Sequence, residues 1–136
     1  MNALITGVIW AGWHIPYYLF FLDRASLQAQ IPLSAPALIL TSFLILPLHA
    51  LAYGELRLIS KSVWPVWLLH TVSNAISLAL VLGSFVKLSG GFDSILLSPT
   101  TEGIVFSLLM ALTGWALYKY RTRTGLLSNL QGVSTN

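Results

Sequence analysis

Three long stretches of this sequence contain no Asp, Glu, Lys or Arg: Ala3 to Leu22, Ile31 to Gly54 and Ser62 to Val86. A fourth and shorter one runs from Ile104 to Tyr118. It reaches spanning length when Tyr118, Lys119 and Tyr120 lie at an interface with their apolar parts buried. A hydrocarbon layer about 30 Å thick needs about 20 apolar residues per crossing. Lipid offers the backbone no hydrogen-bond partner, so each crossing must close its own bonds as a helix. The pattern predicts an all-α fold, a multi-pass transmembrane helix bundle with about four spans. The balance of charge agrees. Charged residues make up 8% of the chain, against about a quarter in soluble domains. A net charge of +3 is small, and it reads as loop charge that orients a membrane protein, with no nucleic-acid partner. The chain has no cysteine, which excludes disulfides and thiolate metal sites. Its start, "MNALITGVIW", has neither a basic leader nor a small-residue cleavage site, so it reads as a span and not as a signal peptide.

The charges fall between the runs. Asp23 and Arg24 open a loop that passes through Pro32 and Pro36, "GELRLISKS" follows the second run, and "KLSGGFDSILLSPTTEG" precedes the fourth. Arg57 and Lys61 follow the second run, and Lys119, Arg121 and Arg123 follow the fourth. With four crossings these groups share a side, and the positive-inside rule places that side and both termini in the cytoplasm. The end of the chain, residues 125–136, is polar and is expected to be a disordered tail.

Each of the first three runs carries one histidine: His14, His49 and His70. Ionisable groups in a span are costly and tend to mark function, although a lone span histidine is more often a hydrogen bonder between helices. At 1.5 Å per residue, His14 lies about 18 Å into the first span, His70 about 10 Å and Asn74 about 17 Å into the third. Both spans run in the same direction, so the three residues fit one layer. His70 and Asn74 are four apart in "HTVSN" and share a helix face. Two imidazoles and an amide suit either a metal site such as zinc on His14 and His70, or water activation beside an oxyanion donor. Both chemistries want a carboxylate in that layer. The four acids, Asp23, Glu55, Asp93 and Glu102, all lie in loops or at span ends. His49, near the cytoplasmic end of the second span, reads as an interface or packing residue.

Two of these segments carry a resemblance. "GVIWAGWHIPYYLF", with Trp10 four residues before His14, resembles the second signature of the CPBP family, the CAAX proteases and bacteriocin-processing enzymes also called Abi. "SVWPVWLLHTVSNAI", with His70-x-x-x-Asn74 after Ser62 to Pro65, resembles its third. The resemblance covers about residues 1 to 85. It implies an intramembrane endopeptidase in a bacterial cell membrane, acting on a peptide or protein substrate by water-mediated hydrolysis, with residues 1–124 as a partial family domain. In such enzymes the histidines position water or a divalent metal, and the asparagine is suited to hold the oxyanion. A Glu-Glu-x-x-x-Arg signature upstream supplies a glutamate that activates the water. That signature does not occur in this sequence, and Met1 falls where the segment after it would begin. The resemblance therefore implies an incomplete and inactive copy.

Other residues carry smaller expectations. Glu55, beside Arg57, reads as an interfacial ion pair and not as a substitute base. Pro16 is placed to kink the first span just after His14. Tyr17, Tyr18, Trp64 and Trp67 suit aromatic belts. Gly7, Ala11, Ala75 and Ala79 suit close helix approach. Two other functional classes fit the bundle: a non-catalytic membrane protein with an immunity or scaffold role, and a small transporter subunit whose histidines line a pathway.

Overall fold

A computed structural model describes residues 2–21, 33–82, 85–86, 92–98 and 103–125. These residues form helices, with no strand among them: α1 (Asn2–Pro16), continued by a π-helical turn (Tyr17–Phe21), then α2 (Ala35–Ser60), α3 (Trp64–Leu82), α4 (Phe92–Leu97) and α5 (Ile104–Arg123). Asp23, Arg24, Pro32, Lys87, Glu102 and the expected tail beyond Gly125 lie outside the described residues. Among the described residues, Asn2–Phe21 and Ala35–Ser60 are long and apolar enough to cross a membrane. Only 17% of the first of these is buried within the protein. Ile9, Trp13, Phe20 and Phe21 are all more than two-thirds exposed, an apolar surface that water would not tolerate at this extent.

The central element is α2. Along its length α1 packs on one side and α5 on the other, while α3 leans on it far more lightly. Two glycines set the close approaches. A Cβ on Gly7 would run into the backbone of Pro47, and one on Gly114 would stand 2.7 Å from the Ala52 nitrogen. Ala11 of α1 is fully buried beside Gly7. Where membrane helices lack a hydrophobic drive to associate, small residues let backbones meet. Ala75 and Ala79 do not serve this purpose, because the α3 face that carries them is exposed.

Several boundaries differ from the sequence reading, each for a local reason. The polar segment after Gly54 does not end the second helix, because Glu55, Leu56, Arg57 and Leu58 are all strong helix formers, and α2 runs on to Ser60. It stops where Lys61 enters the left-handed region at φ 53°. The Trp64 N–H then donates to Ser62 Oγ at 3.3 Å, and Pro65 sits in the first turn of α3, where its missing N–H costs nothing. The loop before the fourth run contains the short helix α4, which the turn residues around it obscured. Past Pro16 the helix widens into the π turn instead of simply bending. This turns Tyr18 inward: it is 4% exposed and packs on Leu38, so it is not a belt residue. Trp64 and Trp67 are exposed and meet edge to face at 5.8 Å.

Candidate active site

Trp10 is the hub of the site. Its indole lies 5.8 Å from the His14 ring on its own helix, 5.4 Å from His70 on α3 and 5.8 Å from Tyr53 on α2. The one-turn spacing of Trp10 and His14 puts both on one face of α1, and that face meets α2 because Gly7 and Ala11 let the backbones approach. The structure thus brings His14 and His70 onto one indole. Asn74 joins them through its Nδ2, which donates to His70 Nε2 at 3.2 Å.

Hydrogen bonds determine which nitrogen does what in each ring, because the partner of one nitrogen sets the tautomer of the other. His14 Nδ1 faces the Trp10 carbonyl oxygen at 2.8 Å. A carbonyl can only accept, so Nδ1 carries the proton and, in the neutral ring, Nε2 keeps its lone pair. His70 is the reverse. Its Nε2 accepts from Asn74, which leaves the proton on Nδ1, a buried atom with no hydrogen-bond partner. Leaving such a group unpaired costs about 1–3 kcal/mol, and sites of this kind call for a functional explanation.

A cavity of about 1110 Å³ lies between α1, α2, α3 and α5. It runs from Asn2, Arg57 and Tyr118 to Trp10, Tyr53 and His70, while His14 and Asn74 do not line it. Glu55 and Arg121 form part of its wall. The expected partnership of Glu55 with Arg57 is not made, since residues two apart point to different sides of a helix. Glu55 instead binds Arg121 of α5 in a bidentate pair, with Nε donating at 2.6 Å and Nη2 at 3.1 Å. The hydrogen bonding to Glu55 is the main reason that the Arg121 pKa lies above its ordinary value. A carboxylate held in this way offers both oxygens to the guanidinium.

His49 is fully buried at the α2–α5 interface, away from the cavity. Its ring meets Phe106 at 5.4 Å, and Nε2 lies 3.0 Å from Ser107 Oγ. The serine proton is already given to the Gly103 carbonyl at 2.7 Å, so Nε2–H is the donor. This is a helix-packing role. Tyr53 is the site residue that the sequence reading did not single out; a tyrosine in the middle of a span carries no motif, and its position beside His70 depends on how α3 crosses α2.

A metal is not supported by these residues alone. Among the described residues no three His, Cys, Asp or Glu side chains come together, and two imidazoles fall short of the three protein ligands of a catalytic zinc site.

The family model "type II CAAX prenyl endopeptidase Rce1-like" matches residues 1–76, a segment that holds His14, His70 and Asn74. No curated protein and no solved structure matches the chain.

Proposed function

The chain belongs to the type II CAAX prenyl endopeptidase Rce1-like family, and on that premise we propose that it is an integral membrane endopeptidase that hydrolyses a peptide bond near the C-terminus of a lipid-modified peptide. The observation that carries the reading is the pair of histidines from two helices on one indole, with that indole and His70 in the wall of a cavity large enough for several residues of peptide. In this reading His14 Nε2 uses its lone pair to hold the attacking water. His70 is kept in one tautomer by Asn74, whose second amide N–H is left for the substrate. We place the protein in a bacterial cell membrane with its charged helix ends cytoplasmic, as the distribution of Lys and Arg favours.

The activating carboxylate is the open role. Among the described residues Glu55 faces the cavity, but it is clamped by Arg121. We therefore assign the water-activating role to a glutamate of the Glu-Glu-x-x-x-Arg type, which this sequence lacks. The test is cleavage of a farnesylated CAAX peptide by the 136-residue chain in liposomes, alone and with a polypeptide carrying that helix. Cleavage in the second arm, reduced about 100-fold or more by His14→Ala and by His70→Ala, is the expected result for loss of a proton-transfer group. No cleavage in either arm overturns the reading. The clamped Glu55 favours a second reading, a non-catalytic family member with an immunity or scaffold role. Its mark is a cellular phenotype that persists in His14→Ala and His70→Ala.

A further inference from the structure

Tyr53 is the least explained polar residue near the histidines. It is 8% exposed, and its ring is packed among Ala52, Met110, Trp10 and Val66. It stands perpendicular to His70 at 5.9 Å. A buried tyrosine normally finds a hydrogen-bond partner for its hydroxyl, yet this one makes no hydrogen bond with any described residue. Neither does the oxygen belong to the buried unpaired atoms, as His70 Nδ1 does. The hydroxyl is therefore unpaired but still accessible, and its residue lines the cavity. Three other polar side chains of that wall are engaged: Thr6 Oγ1 donates to the Asn2 carbonyl, and Glu55 and Arg121 bind each other.

We propose that Tyr53 is a further catalytic residue, whose phenol donates a hydrogen bond to the scissile carbonyl oxygen as that oxygen becomes anionic. The inference rests on the peptidase reading. In the step, the water oxygen bonds to the carbonyl carbon, and the C=O π pair moves onto the oxygen. The Tyr53 O–H donates to this oxyanion and keeps its proton. The pair then returns, the C–N bond breaks, and the proton given up by the water leaves on the departing amine. A donor already fixed where charge develops is stronger than water in the same place, because it does not have to reorient. The packing of the ring against Trp10 and His70 supplies that fixity.

The test uses Tyr53→Phe, which removes the hydroxyl and keeps the ring, in the full chain reconstituted in liposomes. Two probes are titrated: a farnesylated CAAX peptide, and the same peptide with a tetrahedral phosphinate in place of the scissile amide. The expected result is a loss of affinity for the phosphinate of about 30-fold or more, in keeping with the about 100-fold or larger effects of removing an oxyanion donor, with affinity for the amide unchanged. Equal affinities in wild type and variant overturn the proposal. So does an equal loss for both probes, which makes Tyr53 a general contact. Failure of the wild-type chain to bind either probe overturns the peptidase reading itself, and this inference with it.

Discussion

The two ends of a histidine ring do different work in this protein, and each of the three rings shows which. His14 gives its Nδ1 proton to a carbonyl of its own helix and presents the other nitrogen. His70 accepts from Asn74 and keeps its Nδ1 proton inside. His49 donates to Ser107 and has no part in the cavity. Ser107→Ala therefore separates packing from chemistry. It removes a buried hydrogen bond between two helices and is expected to lower stability by about 1 kcal/mol, read by denaturant unfolding in detergent. Binding of the CAAX peptide per folded molecule is expected to stay the same. Asn74→Ala does the opposite. It removes an exposed side chain and frees His70 to exchange tautomers, so unfolding is expected to shift by less than about 0.5 kcal/mol while binding of the phosphinate probe weakens. The pairing of His70 with Asn74 follows from a spacing of four residues. The opposite tautomers of His14 and His70 do not follow from the sequence, because they depend on which acceptor or donor each ring meets.

Among the helices, contact is set by small residues whose partners lie far away in the chain. Gly7 and Gly12 sit on the same helix, yet a Cβ on Gly7 would strike Pro47 whereas one on Gly12 would meet open space. Gly7→Ala is expected to destabilise by about 1–3 kcal/mol through overpacking. Gly12→Ala is expected to stabilise by up to about 1 kcal/mol, because alanine is the better helix former. Thermal unfolding of the two variants side by side checks the pair, and equal shifts would contradict the close α1–α2 crossing. The turn between α2 and α3 gives a third case. Lys61 is held at φ 53°, a conformation that costs an L-residue roughly 1–2 kcal/mol. Lys61→Gly is expected to raise the unfolding temperature without changing affinity for substrate. Composition alone suggested both helices around this turn. It did not show that α2 continues through the polar "GELRLIS", because charged residues with high helix propensity look the same in a loop and at the wet end of a helix.

For the whole molecule, α5 is tied to α2 by the crossing at Gly114, by His49 with Ser107 and by Glu55 with Arg121. Little comparable holds α3, whose described residues are all at least partly exposed, and the cavity is the space that results. Glu55→Arg and Arg121→Glu are each expected to lower the unfolding temperature by leaving like charges together. The double exchange, which restores opposite charges at the same place, is expected to recover most of that loss. An exchanged pair no more stable than either single variant would mean that the contact contributes through geometry that only this arrangement provides. By itself the sequence determined that the described residues are helical, that two of the long runs are apolar enough to cross a membrane, and that residues 1–76 match the family. Those properties are carried by composition and by spacings within one helix, where 3.6 residues per turn fixes which side chains are neighbours. Only the tertiary structure decided that both histidines meet one indole, that Arg121 and not Arg57 binds Glu55, and that Tyr53 lines the cavity beside His70. Each of these depends on how separate helices cross, and the crossings are set by shape complementarity at a few small residues that have no periodic trace in the sequence.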